Sequence, residues 1–150
     1  MFVGSIYRPA PSSDVEPLEA LNHALCHLTQ KSFPNILLTG DFKLPSISWS
    51  DDNYTIQSNP TYGTEINNKF LDIVNDHSLS QHVLEPTRGN NILDLVFTTK
   101  PDMVTNVNVE SGMSDHNLVV FDVNLKPTII KKTTQMCLYV QKRKHECCKE

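Results

Sequence analysis

Apolar residues recur with two different periods along the first 125 residues of the chain. Leu18, Leu21, Leu25 and Leu28 follow the spacing of one helix face, which predicts a helix over about residues 14–31. A second stretch of this type predicts a helix over about residues 64–77. Short apolar or alternating runs predict strands at 2–7, 36–39, 92–98, 104–109 and 118–125. This succession predicts an α/β fold in which a mixed sheet carries helices on one face.

Segments without these periods mark the predicted boundaries. Residues 44–62 are rich in Ser, Asp, Asn and Pro, which predicts a long loop. The spacing of Ser13 and Glu16 predicts a capping box at the start of the first helix. Residues 126–150 show little pattern. We therefore expect one domain over residues 1–125, followed by a flexible tail.

Charge divides the chain at the same point. Residues 1–125 hold six Lys/Arg and fifteen Asp/Glu, whereas residues 126–150 hold seven Lys/Arg and two Glu, together with three of the four cysteines. An acidic body does not favour nucleic-acid binding through a broad basic face. The sequence has no apolar run long enough to span a membrane, and its start does not resemble a signal peptide. These features predict an intracellular protein without a membrane segment or a disulfide framework.

Several reaction classes lack their motifs in this sequence. A G-x-S-x-G elbow is absent, so a serine hydrolase has no obvious nucleophile. Neither a P-loop motif nor a G-x-G-x-x-G motif occurs, and no small-molecule cofactor is predicted. Adjacent Cys147 and Cys148 without a second cysteine pair are a weak zinc signal.

Three segments carry candidate chemistry. Asp41 follows a buried strand, where α/β sheets bind ligands, although a turn-forming aspartate is an equal alternative. Asp94 lies inside an apolar strand and requires either a partner or a solvent-exposed strand face. His116 lies in a loop before the last strand; it is either an ordinary surface residue or a partner that a buried aspartate orients.

Taken in chain order, four motifs resemble a known family. They are Ile6-Tyr7-Arg8-Pro9, Leu38-Thr39-Gly40-Asp41-Phe42, Leu93-Asp94-Leu95-Val96 and Ser114-Asp115-His116-Asn117-Leu118-Val119, and Pro86-Thr87-Arg88 is also similar. Together they resemble the endonuclease/exonuclease/phosphatase superfamily, in particular the abasic-site-endonuclease-like domain of non-LTR retrotransposon reverse transcriptases. The resemblance covers about residues 2–125 and implies the C-terminal half of a four-layer αββα sandwich.

The resemblance also implies Mg²⁺-dependent cleavage of phosphodiester or phosphomonoester bonds, with Mn²⁺ as a possible substitute and DNA as the substrate. The residues that it assigns to catalysis are Tyr7 on the phosphate, Asp41 on the attacking water, Asp94 supporting the histidine, and His116 near the scissile phosphate. It assigns Asp115 and Asp41 to the metal, and Arg8, Lys43, Thr87 and Arg88 to substrate binding.

The sequence departs from the family in two respects. Lys43 stands where the family motif has asparagine, and we expect its ammonium group to attract Asp41. The family strands that carry an Asn and a metal-binding Glu would precede Phe2, so we expect a truncated domain with little or no activity. Two alternatives stay open: an interaction module that self-associates through an uncovered sheet face, and a phosphatase of the same superfamily.

Overall fold

The computed structural model describes residues 1–9, 14–31, 33, 35–51, 53–56, 64–112 and 114–125. The helices and strands, numbered in chain order, are α1 Glu16–Gln30, α2 Thr64–Asp76, β1 Phe2–Tyr7, β2 Ile36–Asp41, β3 Ile47–Ser50, β4 Asn53–Ile56, β5 Ser80–Gln81, β6 Asp94–Thr98, β7 Val104–Glu110 and β8 Leu118–Val123. A short 3-10 helix, Pro101–Met103, precedes β7. The predicted tail at 126–150 lies outside the described residues.

The central sheet has four strands in the order β1-β2-β6-β5. β1 runs parallel to β2, whereas β6 runs antiparallel to both β2 and β5. The mixed sheet and the two predicted helices are therefore confirmed. β7 and β8 pair only with each other among the described strands, and they form a separate antiparallel hairpin.

The two faces of the central sheet pack against different layers. Leu38 and Phe97 point to the face that carries the helices, where they join one apolar cluster with Leu25 of α1 and Phe70 of α2. This cluster supplies most of the buried apolar surface, which is the main favourable contribution to folding. The predicted position of the helices on one face is confirmed.

The opposite face packs against the β7–β8 hairpin. Leu37 and Val96 point to this side and form a second buried cluster, against which Val109 and Phe121 of the hairpin pack. The layers therefore run helices, four-stranded sheet, hairpin. The hairpin covers β2 and β6, whereas the outer residues Val3 and Tyr7 of β1 stay exposed on this side.

Part of the segment predicted as a long loop is a hairpin. β3 and β4 pair antiparallel within residues 44–62, so the loop prediction is wrong there, while residues 57–63 lie outside the described part. Trp49 packs edge-on against Tyr54 of β4 and Phe97 of β6, with ring centroids 5.8 and 5.6 Å apart. The strands are only four residues long and contain several polar residues. The alternation of apolar and polar positions was therefore too short to predict strands from the sequence.

The start of α1 also differs from its prediction. Val15 takes the N-cap position without a side-chain cap, and Glu16 is the first helical residue. Pro17 explains this start, because proline has no N–H to donate and fits only the first helical turn. The capping box from Ser13 is therefore wrong as the helix start, and Ser13 itself lies outside the described residues.

A histidine contributes to the sheet without belonging to the candidate site. His82 follows β5, and its Nε2 lies 2.7 Å from Oγ1 of the buried Thr98. Thr98 donates its hydroxyl proton to the carbonyl of Lys100, so it accepts from His82. Burial lowers the pKa of His82 below its ordinary value, and the ring serves as a neutral structural donor.

Gly40 fixes how closely β1 and β2 approach one another. Its φ is +147°, a conformation that L side chains rarely adopt, and a Cβ at this position would overlap the carbonyl oxygen of Ile6. Glycine is therefore required next to Asp41, and it sets the position of that carboxylate relative to β1.

We expect Gly40→Ala to lower the free energy of unfolding by about 2–4 kcal/mol, because it adds both backbone strain and a clash with Ile6. Gly89→Ala is the matched control: Gly89 has a φ of +56°, but a Cβ added there would meet no described atom within 4 Å apart from its chain neighbours. That control should cost about 1–2 kcal/mol. Urea unfolding measures both losses, and equal losses would contradict the close approach at Gly40.

Candidate active site

Three of the predicted catalytic residues lie in one row across the central sheet. Tyr7 pairs in register with Asp41, and Asp41 pairs with Asp94, so the row crosses β1, β2 and β6. Residues directly opposite each other on adjacent strands point to the same face of a sheet. That face is the one opposite the helices. Side chains two or four residues apart on a strand share a face, so Asp41 lies on the same side as Leu37, and Asp94 on the same side as Val96. Leu37 and Val96 both belong to the cluster that packs against the hairpin.

His116 completes this group from the loop between β7 and β8. Its Nδ1 lies 2.8 Å from Oδ2 of Asp94, and both side chains are partly buried. An ionised carboxylate only accepts hydrogen bonds, so Nδ1 donates and Nε2 is the ring nitrogen left for a substrate. Gly112 allows the loop to fold closely, since a Cβ there would overlap the carbonyl oxygen of His116. The predicted pairing of a strand aspartate with a loop histidine is present.

Asp41, Asp94 and His116 form a group with metal-binding capacity. Their ligand atoms all lie within 4.8 Å of one another. Oδ1 of Asp41 is buried and has no hydrogen-bond partner among the described residues, so it can serve as a ligand atom. Carboxylate oxygens suit Mg²⁺ and Mn²⁺, so the two aspartates of this group fit a divalent cation.

Lys43 already places a positive charge beside Asp41. Its Nζ lies 2.7 Å from Oδ2 of Asp41, and the side chains are only 13% and 15% exposed. The same ammonium group lies 5.7 Å from the centre of the Tyr7 ring, within the range of a cation–π contact. The predicted attraction between Lys43 and Asp41 is confirmed.

Arg8 was expected at the substrate, and the structure places it behind the site. It is only 3% exposed, and its Nη1 donates to the carbonyls of Lys43 at 3.0 Å and Phe42 at 3.5 Å. Burial removes this guanidinium from direct contact with a substrate. Arg8 instead holds the turn that carries Lys43.

Thr87, also expected at the substrate, is fully buried. Its Oγ1 accepts hydrogen bonds from the backbone N–H groups of Leu93 and Asp94, both at 3.0 Å. Its carbonyl accepts from the N–H of Asn117 at 2.7 Å. Thr87 therefore connects the strand that carries Asp94 to the loop that carries His116, and it positions the pair rather than contacting a substrate.

Asn117 is a residue that the sequence did not single out for a role of its own. Besides its backbone contact to Thr87, its Nδ2 donates to the carbonyl of Pro86 at 3.3 Å. These two bonds fasten the His116 loop to the turn at residues 86–91. The only sequence feature that could have pointed to Asn117 is its position directly after His116, and this position does not indicate its contacts with Thr87 and Pro86.

The remaining predicted residues, Arg88 and Asp115, form an exposed ion pair between Nη2 and Oδ2. The pair joins the turn at residues 86–91 to the loop before β8. Asp115 lies outside the group of Asp41, Asp94 and His116, so the structure does not bring this predicted metal ligand together with the others. Arg88 keeps an exposed guanidinium at the rim of the site.

We expect Thr87→Val to lower the free energy of unfolding by about 2–4 kcal/mol, because it leaves two buried N–H groups without an acceptor. It should also shift the NMR signals of Asp94 and His116. Thr87→Ser keeps the hydroxyl and should cost only about 1 kcal/mol. Urea unfolding and amide NMR spectra measure both variants. Equal stability of Thr87→Val and Thr87→Ser would contradict the positioning role.

Comparisons with known proteins identify a family and a similar fold. A family model described as endonuclease-reverse transcriptase matches residues 1–120. The fold is similar to a solved structure, the endonuclease domain of TRAS1, a telomere-specific non-LTR retrotransposon, with a TM-score of 0.52 and 16% sequence identity. That match covers 78% of this chain and 56% of the solved domain, so the chain spans little more than half the length of that domain.

The chain matches no curated protein. Among the described residues, no helix combines the length and apolar character that a membrane crossing requires. The family match spans most of the chain and includes every residue of the candidate site. The chain therefore belongs to the endonuclease-reverse transcriptase family.

Proposed function

We propose that this chain carries the catalytic face of a divalent-metal-dependent hydrolase that cleaves phosphodiester bonds in DNA. The observation that carries the proposal is the hydrogen bond between Asp94 and His116 beside Asp41. One carboxylate orients a histidine, and a second carboxylate lies beside this pair. Such an arrangement is suited to activating a water molecule for attack on the phosphorus of a charged phosphate group. Membership of the endonuclease-reverse transcriptase family supports the same reaction class.

Each residue has a distinct role in the proposed reaction. Asp41 orients the attacking water and accepts its proton as the water oxygen bonds to phosphorus. The bond from phosphorus to the ester oxygen breaks, and that oxygen leaves as an alcohol after taking a proton from solvent. His116 donates from Nε2 to the phosphate as an imidazolium, a state that the Asp94 carboxylate stabilises through Nδ1. Tyr7 is 72% exposed, which leaves its hydroxyl accessible to a phosphate oxygen.

A divalent cation, Mg²⁺ or Mn²⁺, would neutralise charge on the phosphate when bound. The open Oδ1 of Asp41 is the first ligand proposed for it. The family resemblance also implies Asp115 as a ligand, but its exposed ion pair with Arg88 lies outside the group of Asp41, Asp94 and His116, so we do not assign it to the ion. The exposed guanidinium of Arg88 would contact a phosphate of the DNA backbone.

We expect cleavage by this chain to be slow. Replacing one preorganised polar group at such a site costs about 100- to 1,000-fold in rate, and Lys43 replaces the asparagine of the family motif. An ammonium group only donates hydrogen bonds, whereas an amide also accepts them. The pairing of Lys43 with Asp41 further occupies one oxygen of the proposed water-orienting carboxylate.

The proposal is tested by nicking of supercoiled plasmid at protein excess with Mg²⁺ or Mn²⁺. We expect slow conversion to the nicked circle, its loss in EDTA, and a decrease of about 100-fold or more in His116→Ala. His23→Ala is the matched control, because His23 is an exposed histidine on α1. This control should cleave at the rate of the unchanged chain.

Cleavage that is the same in His116→Ala and in the unchanged chain would contradict the proposed site. Release of phosphate from a phosphomonoester without nicking would favour the phosphatase alternative. Fast, His116-dependent nicking would contradict the expected low rate while supporting the reaction class.

A specific observation favours a second candidate, association through apolar surface. Val3 on β1 and Leu118 and Val120 on β8 are large apolar side chains exposed by the fold. Apolar surface of this type favours contact with a partner or with a second copy. A chain without His116-dependent cleavage that sediments as a dimer would support this interaction role.

A further inference from the structure

The position of Lys43 has a consequence for metal binding. Its ammonium group lies on Oδ2 of Asp41 at 2.7 Å, while Oδ1 of the same carboxylate is buried without a described partner. We propose that Lys43 is the resident cation of Asp41 and competes with divalent cations for this carboxylate, so that the chain binds such ions weakly. The inference rests on the metal site of the proposed function, but its test requires no cleavage.

The backbone holds Lys43 in this position before any ligand arrives. Lys43 has a φ of +49°, an uncommon conformation for a residue with a side chain. The buried Arg8 donates to the carbonyls of Lys43 and Phe42, and Phe42 packs in the helix-side core. These contacts fix the backbone of Lys43, and its side chain is only 13% exposed, so pairing costs it little further conformational entropy and the ion pair is an effective competitor.

The ammonium group also repels a divalent cation at Asp41. Of the two carboxylates in the group, Asp41 is paired with this positive charge, and Asp94 already receives the hydrogen bond of His116. An incoming ion must either displace the ammonium group or bind within a few ångströms of it. Because the pair is largely buried, solvent and salt screen this repulsion only weakly.

The test measures Mn²⁺ binding to the full chain by the EPR signal of free Mn²⁺. Lys43→Asn should bind Mn²⁺ about tenfold more tightly than the unchanged chain, which corresponds to removal of one competing ion pair. Asparagine is suited to this position because it adopts positive φ more readily than most residues. Lys43→Gly also accepts that backbone conformation and should show the same gain, so the test does not depend on one variant folding.

Three control variants separate the proposal from a general effect of charge. Lys43→Arg keeps the positive charge and should show no gain. Lys69→Asn removes an equal charge from an exposed pair with Glu19 and should leave the affinity unchanged. Adding Asp41→Asn to Lys43→Asn should abolish the gain, because it removes the proposed ligand.

Unchanged Mn²⁺ affinity in both folded Lys43→Asn and folded Lys43→Gly would overturn the proposal, as would an equal gain in Lys69→Asn. Failure of the proposed function looks different. A tenfold gain in Mn²⁺ affinity without His116-dependent nicking would support the role of Lys43 and reject the nuclease, whereas nicking without the gain would do the reverse.

Discussion

The register between β1, β2 and β6 is the constraint on which the rest of the site depends. It places Tyr7, Asp41 and Asp94 side by side on one face of the sheet. Alternation along the strands fixes this register, because Leu38 must reach the helices while Leu37 must reach the hairpin. A slip of one residue would bury the carboxylates and expose the core, so the packing energy of the whole domain maintains the row.

The row becomes a potential reaction site only through contacts made from outside the sheet. His116 arrives from the β7–β8 loop, and the backbone contact of Asn117 to Thr87 holds that loop near Asp94. Arg8 acts in the same manner on the other side, where it fixes the turn of Lys43. Buried polar residues thus support the site from behind and hold its side chains in place.

Local periodicity predicted the helices and the mixed sheet, whereas the pairing of Asp94 with His116 was implied only by the family resemblance; the structure places the two side chains together. The sequence could not distinguish buried residues that position the site from exposed residues that a substrate could contact. Arg8 and Thr87 lie within the matched motifs, but their burial follows from the packing of distant segments. The ion pair of Arg88 with Asp115 and the hairpin β3–β4 likewise depend on tertiary contacts that no local pattern records.

The central claim is that the Asp94 carboxylate fixes the ring of His116 through Nδ1. Long-range ¹H–¹⁵N NMR of the histidine rings at about pH 8, above the ordinary imidazole range, tests it most directly. The account predicts that the His116 proton resides on Nδ1 and that Asp94→Ala shifts it towards Nε2. A His116 ring with its proton on Nε2, unaffected by Asp94→Ala, would contradict the account.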